Sequence, residues 1–217
     1  MDIEALRSLL SAVRALESRR RIVIFGSSAL LVSLTGATPA ELGVETTLDA
    51  DLLLDPDDES VRRTLDEALG SDSEYDDAHG FHADFVDARI ARDCFPPGWQ
   101  QRLVPVTGFD AVFALSTADT AAAKLLATAF SRLNRRMGRG TKDIQAIAAL
   151  LRAGLLDRME LQERLESVEL PPALVVEAGK VLDETKEVEC RPPPHAAIRS
   201  RSSHETRRTL RRRARRS

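Results

Sequence analysis

The chain has 217 residues, 43% hydrophobic and 4% aromatic, so it is long enough for one good-sized domain or for one domain with a small helical annex, with a core of Leu, Ala and Val. No apolar run approaches the roughly 20 residues of a membrane span, and the acidic, amphipathic start is unlike a secretory signal. Cys94 and Cys190 have no metal-ligand spacing and form no disulfide framework. These observations predict a cytoplasmic protein with no membrane partner.

The charge is divided unevenly along the chain. Residues 191–217 contain ten Arg and one Glu, a charge of +9, which leaves −12 on residues 1–190 because the total is −3. The basic segment has no apolar face, which predicts a disordered tail. Such a tail either neutralises nucleic-acid phosphates or is an appendage without that role.

The spacing of apolar residues predicts the elements of the chain in order. The first part alternates helices and short apolar strands, and from residue 117 onward every predicted element is a helix. This pattern predicts an α/β (α+β) fold with three parts: an α/β core over 1–116 with a small mixed sheet and an N-terminal helix, a helical subdomain over 117–190, and the tail over 191–217. The predicted helices are 2–19, 27–34, 56–70, 117–133, 141–154, 157–168 and 171–184, and the predicted strands are 21–25, 47–54, 80–86 and 111–116.

A glycine and two hydroxyls follow the first predicted strand, in the sequence "RIVIFGSSALL". Gly26, Ser27 and Ser28 stand where that strand ends and a helix begins. Free main-chain N–H groups, hydroxyls and a helix N-terminus favour an anion such as phosphate, and glycine permits its close approach. An ordinary strand-to-helix turn with a capping Ser accounts for the same residues.

Two carboxylates lie two residues apart on the second predicted strand, in "TLDADLLL". Asp49 and Asp51 therefore project from one face, where neighbouring acids are costly without a counter-charge. A divalent metal such as Mg²⁺ supplies that charge, and salt-bridge partners at a solvated strand end are the alternative. A third carboxylate from "FHADFVD" completes a two-metal arrangement. Asp84 and Asp87 have opposite parity there, and Asp84 is favoured because it is mid-strand.

The order of Gly-Ser, D-x-D and a later single Asp resembles the nucleotidyltransferase superfamily, with the DNA polymerase β-like fold. The sequences "TLDADLLL", "PPGWQQRL", "AAAKLLA" and "GRGTKDIQAI" are similar to the AbiEii/MenT-like toxin branch and its uncharacterised bacterial relatives. The resemblance covers about residues 20 to 155. The interval between Gly26 and Asp49 is longer than the common family form, because a segment containing Pro and Gly is inserted.

The resemblance implies a magnesium-dependent enzyme that transfers a nucleotidyl group from a nucleoside triphosphate (NTP) to a hydroxyl. Asp49, Asp51 and Asp84 then hold two Mg²⁺ ions, and Gly26 with its two serines holds phosphates. Lys124 matches the family's lysine in the helix after the sheet. Lys142 and Asp143 match its Lys-Asp pair, and Thr47 matches the Thr or Arg before D-x-D. Without the resemblance, Lys124 extends its ammonium group to solvent, and Asp143 is favoured by a helix dipole.

The acceptor is the least determined part of the sequence-based interpretation. The toxin branch implies an RNA end, above all the 3′ end of transfer RNA, and a cognate antitoxin as partner. The basic segment 131–142, with Arg132, Arg135, Arg136 and Arg139, is either an RNA contact or a solvated loop. The competing hypothesis is an inactive nucleotide- or partner-binding module with the same fold.

Overall fold

The computed structural model describes residues 1–33, 47–134 and 140–189. Its helices are α1 (Ile3–Leu16), α2 (Gly26–Ser33), α3 (Glu59–Leu69), α4 (Glu74–His79), α5 (Arg89–Cys94), α6 (Thr117–Leu133), α7 (Thr141–Arg152), α8 (Arg158–Glu166) and α9 (Pro172–Glu189), with a 3₁₀ helix at Trp99–Arg102. Its strands are β1 (Arg21–Ile24), β2 (Asp49–Asp55), β3 (His82–Val86), β4 (Val104–Pro105) and β5 (Val112–Ala114). Among the described residues, no helix is long and apolar enough to cross a membrane.

The strands form one mixed sheet in the order β3-β2-β1-β5-β4. The central strand β1 runs antiparallel to β2 and parallel to β5, while β2 and β3 are parallel. The end of β1 therefore lies beside the starts of β2 and β3. Ile24 pairs with Leu52, and the N–H of Phe25 donates to the carbonyl oxygen of Asp51 at 3.1 Å.

Side-chain alternation gives the sheet two different faces. One face carries residues such as Ile24 and Leu52, which are buried against the apolar stripes of α1 and α3. The other face carries Val23 and Leu53, which pack on Phe95, Trp99 and their neighbours. Asp49 and Asp51 alternate with Ala50 and Leu52, so they share this second face. We call it the carboxylate face.

The helices from α6 to α9 form a second apolar cluster. Leu125 of α6, Ile147 of α7, Leu161 of α8 and Val181 of α9 are fully buried in it. Leu30 of α2 belongs to the same cluster, so the helical half packs against the helix that follows β1. This packing brings α6 and α7 to the end of the sheet where Asp49 and Asp51 lie.

A small mixed sheet followed by a helical C-terminal half was predicted from the sequence, and the structure confirms it. Four short elements were not predicted: α4, α5, β4 and the 3₁₀ helix at Trp99–Arg102. The helix α4 lies between the predicted helix 56–70 and the predicted strand 80–86. The Ser73 side chain caps its N-terminus, and Gly80 ends it in the left-handed conformation. The division at residues 116 and 117 stays a prediction, and the tail 191–217 lies outside the described residues.

The long connection before β4 is fixed to α6 by an ion pair between Arg102 and the buried carboxylate of Asp119. The Arg102 guanidinium donates to both carboxylate oxygens of Asp119, from Nη2 at 2.8 Å and from Nε at 2.9 Å. Asp119 has no exposed surface, and Arg164 of α8 lies 3.3 Å from it. This buried carboxylate thus links the connection, α6 and α8.

Candidate functional site

Three carboxylates meet on the carboxylate face of the sheet. Asp49 and Asp51 come from β2, and Asp84 on β3 is the register partner of Asp51. One oxygen from each carboxylate lies within 4.8 Å of the other two. Asp49 and Asp51 are half-buried, whereas Asp84 is exposed. Three hard oxygen donors so close together form a donor set that suits a divalent cation such as Mg²⁺.

Asp87 lies outside this group. Its parity directs it to the opposite face, where the guanidinium groups of Arg89 and Arg62 contact it at 2.9 and 3.4 Å. The hydrogen bond from the Arg89 side chain, followed by one from its main chain, lowers the pKa of Asp87 to about 2. Of the two acids left open by the sequence, the structure brings Asp84 to the other carboxylates.

The turn after β1 fits closely against Asp51. Gly26 has φ +64°, and a Cβ added there would lie 2.0 Å from Oδ2 of Asp51. Both the conformation and the contact therefore require glycine at this position. Ser28 of the same turn donates from its hydroxyl to the carbonyl oxygen of Asp49 at 3.2 Å. This hydrogen bond ties the first turn of α2 to the start of β2.

Thr47 orients the first carboxylate of the group. Its hydroxyl donates to the carboxylate of Asp49 and lies 3.1 Å from the carbonyl oxygen of the same residue. The threonine two residues before the D-x-D pair thus limits the rotation of the Asp49 side chain. A fixed carboxylate loses less conformational entropy when it binds a cation.

Lys124 reaches the turn from α6. Its Nζ donates to Oγ of Ser27 at 3.1 Å and to Oδ1 of Asp143 at 2.7 Å, with 14% of the side chain exposed. The hydroxyl of Thr128 lies 3.4 Å from the other oxygen of Asp143. The ammonium group is therefore held beside the turn, with Asp143 as its anion. A lysine that merely extends to solvent does not fit this burial.

The remaining predicted residues divide into placed and undescribed ones. Lys142 is exposed in the first turn of α7, next to Asp143. Arg132 of the basic segment is paired with Glu184 of α9, at 2.5 and 2.9 Å. Arg135, Arg136 and Arg139 lie outside the described residues, and so does the insertion at 34–46.

Sequence reasoning missed His82 and Asp76. His82 pairs in register with Asp49, and its Nδ1 lies 3.2 Å from Oδ1 of Asp76. This hydrogen bond, together with one from the Asp72 main chain, lowers the pKa of Asp76. Side-chain alternation could have identified His82, because residues 82 and 84 are two apart on a strand and therefore share one face.

Comparison with known proteins agrees with this geometry. A family model described as "Nucleotidyltransferase of unknown function (DUF6036)" matches residues 2–132, more than half of the chain. The matched segment contains the turn at Gly26, the three carboxylates and Lys124, while Lys142 and Asp143 lie beyond it. No curated protein and no solved structure matches the chain. The match supports the nucleotidyltransferase superfamily without extending to the AbiEii/MenT-like branch, and the chain belongs to the DUF6036 family of nucleotidyltransferases of unknown function.

Proposed function

We propose that this protein transfers a nucleoside monophosphate from an NTP to a hydroxyl group and releases pyrophosphate. The observation that carries the proposal is the juxtaposition of two features. A group of three carboxylates, with oxygens within 4.8 Å of one another, adjoins a glycine turn whose serine is hydrogen-bonded to a half-buried lysine. The first suits a cation and the second suits phosphate, which are the two components of a metal-bound NTP.

The donor set fits Mg²⁺, since all three ligands are carboxylates and hard cations prefer oxygen. Asp49, Asp51 and Asp84 would hold the metal, with two ions as the expected number. When bound, Mg²⁺ would supply charge stabilisation to the reacting phosphate oxygens. The exposed position of Asp84 leaves that side of the group accessible to a substrate.

The protein groups around the turn would bind the triphosphate. The main-chain N–H groups that begin α2 and the hydroxyl of Ser27 would contact the β- and γ-phosphates. Ser28, which the sequence predicted as a second phosphate contact, is buried and donates to the carbonyl oxygen of Asp49, so it would shape the turn. Lys124, held beside Ser27, and Lys142 would offset the negative charge that develops on the leaving group. Asp143 would hold Lys124 in place through the 2.7 Å ion pair and so serve the nucleotide indirectly.

In the proposed reaction, the acceptor oxygen forms a bond to the α-phosphorus. The bond between that phosphorus and the oxygen bridging to the β-phosphate breaks, and pyrophosphate leaves with the electron pair. The proton of the attacking hydroxyl passes to the carboxylate of Asp84. Positioning and electrostatic stabilisation account for the catalysis, because this chemistry needs no covalent protein intermediate.

The proposed acceptor is RNA, with the 3′ end of transfer RNA first. This part of the proposal rests on the resemblance to nucleotidyltransferase toxins, as does a toxin role with a cognate antitoxin. The arginines of segment 131–142 would receive the RNA backbone. Arg132 is already engaged by Glu184, so the contact would fall to Arg135, Arg136 and Arg139.

Labelling with radioactive NTP tests the activity. The protein is incubated with Mg²⁺, each α-labelled NTP in turn, and either total RNA or total protein from cells. We expect labelled acceptor with the wild type and none above background with Asp51→Asn. Asp87→Asn is the matched control, because Asp87 is an acid that directly follows β3 and pairs with Arg62 and Arg89 instead.

Two results would contradict the proposal. Equal labelling by the wild type and Asp51→Asn would show that the three carboxylates take no part in the reaction. Calorimetric binding of an NTP without any labelled product would favour the inactive binding module. Labelling of the protein fraction alone would support nucleotidyl transfer but show that the acceptor is a protein and not RNA.

A further inference from the structure

His82 lies next to the candidate metal ligands. It is the register partner of Asp49 and stands two residues before Asp84, so its side chain projects from the same carboxylate face as theirs. Neighbouring strands are about 4.8 Å apart, and alternate residues of one strand are about 6.6 Å apart. The imidazole, with 21% of its side chain exposed, is therefore a near neighbour of both acids.

The geometry of nucleotidyl transfer gives the site two sides. The attacking oxygen and the leaving oxygen stand in line on opposite sides of the phosphorus. Under the proposed function, the leaving pyrophosphate lies on the β1 side, at Gly26, Ser27 and Lys124. The acceptor hydroxyl must then approach from the β3 side of the carboxylates. His82 and Asp84 are on that strand.

Asp76 fixes the orientation of the imidazole ring. A carboxylate only accepts hydrogen bonds, so Nδ1 of His82 carries the proton in the 3.2 Å contact with Oδ1 of Asp76. In the neutral ring, Nε2 then has a lone pair that accepts a hydrogen bond. Within the part of the chain that the structure describes, the contact with Asp76 is the only hydrogen bond of this ring. The Asp76 carboxylate is itself held by the N–H of Asp72 at 3.2 Å.

We propose that His82 binds the acceptor, with Nε2 accepting a hydrogen bond from a donor group of the acceptor that neighbours the attacking hydroxyl. This contact places the attacking oxygen on the side of Asp84 and leaves its proton free to pass there. The inference rests on the proposed function and deepens it by assigning the acceptor side of the site to β3. No bond to His82 forms or breaks, and the hydroxyl proton still passes to Asp84. Asp76 is a positioning residue, which acts through the ring.

Steady-state kinetics with the fraction that the wild type labels, RNA or protein, tests this assignment. His82→Phe keeps a ring and removes the lone pair, while His82→Gln restores an acceptor oxygen. Asp76→Asn presents an amide that can donate to Nδ1, which would favour the tautomer with the proton on Nε2. We expect His82→Phe and Asp76→Asn to raise the KM for the acceptor by about tenfold, the loss of one hydrogen bond. We expect His82→Gln to recover part of it and the KM for NTP to stay unchanged in all three.

His79→Phe is the matched control, because it changes an exposed histidine of α4 whose ring contacts Tyr75 and Phe81. An unchanged acceptor KM in His82→Phe, or an equal rise in the KM for NTP, would overturn the inference and leave the proposed function intact. A wild type that labels neither fraction would refute the proposed function and the inference with it. If His82→Phe fails to fold, as judged by its melting temperature, His82→Gln and Asp76→Asn decide the question.

Discussion

Residue 26 must be glycine because its side chain, a single hydrogen atom, is all that fits against the carboxylate of Asp51. A methyl group at residue 26 would sit 2.0 Å from a carboxylate oxygen of Asp51, and φ +64° is strained for any L side chain. From the sequence, the role of Gly26 was predicted to be the close approach of a phosphate. The structure adds a second reason, since the turn also packs directly on the carboxylate of β2.

We predict that Gly26→Ala displaces the Asp51 carboxylate and weakens metal binding. The wild type should melt at a higher temperature with Mg²⁺ than without it, because a ligand bound at a hundred times its Kd adds about 2.7 kcal/mol. Gly26→Ala should lose most of that increase, in addition to a destabilisation of about 1–2 kcal/mol from the left-handed backbone. Thermal melts with Mg²⁺ and at matched ionic strength with KCl measure both effects.

Gly154→Ala is the control for the backbone cost. Gly154 has φ +68° and has no described heavy atom within 4 Å of an added Cβ. It should be destabilised similarly and keep the full Mg²⁺ response. If both variants respond to Mg²⁺ like the wild type, Gly26 has no special relation to the carboxylates.

Lys124 and Asp143 form the second pair of the site whose roles can be separated. We predict that Lys124→Met lowers the affinity for an α,β-methylene NTP by about ten- to a hundredfold, the worth of a charged hydrogen bond. Asp143→Asn should lower it less, because the ammonium group remains. Calorimetry measures the affinities, with Lys180→Met as a control on α9, where Lys180 pairs with Glu177. A larger loss in Asp143→Asn than in Lys124→Met would show that Asp143 contacts the nucleotide itself.

Sequence alone predicted which residue types form the site, and it failed where partners are distant along the chain. The parity of Asp49 and Asp51 was sufficient to assign them to one face. Position within the strand favoured Asp84 over Asp87, but the partner of Asp87 was not predicted, because Arg62 is 25 residues away in sequence. The Lys124–Asp143 pair likewise joins two helices, and no periodicity predicts such a contact.

Among the secondary-structure elements, the longer ones were easier to predict. Regularly spaced apolar residues over many positions identified α1, α6 and the strand with the D-x-D pair. The helices α4 and α5 have six residues each, and β4 has two. Helices this short have little intrinsic stability, so their formation depends on caps and tertiary contacts that a periodicity search does not include.

The helix α9 contains a glycine that weakens it. Gly179 is exposed in the interior of this 18-residue helix, and no described heavy atom lies within 4 Å of an added Cβ. We predict that Gly179→Ala raises the free energy of unfolding by about 0.5–1 kcal/mol through helix propensity. Urea denaturation measures the change, and the activity should not alter. A destabilised variant would contradict the argument from helix propensity.

At the level of the whole molecule, acid should destabilise the fold. Arginine contacts and main-chain hydrogen bonds lower the pKa of several carboxyl groups, with Asp87 reaching about 2 from its ordinary value of 3.8. A group with a lowered folded pKa stabilises the protein above its unfolded pKa and loses that contribution as the pH falls through the folded one. The window for Asp87 is therefore between pH 3.8 and about 2.

We predict that the wild type loses more stability across that window than Asp87→Asn does, because the amide has no charge to lose. Urea midpoints measured at several pH values from neutral to acid give the two slopes. Asp110→Asn provides a comparison, since Asp110 is an exposed acid of the same core. Parallel curves for all three proteins would show that the contacts of Asp87 with Arg89 and Arg62 do not contribute.

The single tryptophan of the chain packs on the carboxylate face of the sheet. Trp99 is 8% exposed and meets Phe95 edge-on at 5.3 Å, and Phe95 in turn contacts Phe25, the residue before the Gly26 turn. Indole emission reports the polarity around Trp99 alone, whereas far-ultraviolet circular dichroism is dominated by the helices. Unfolding followed by both signals therefore distinguishes a cooperative transition from separate melting of the carboxylate face, without any added label.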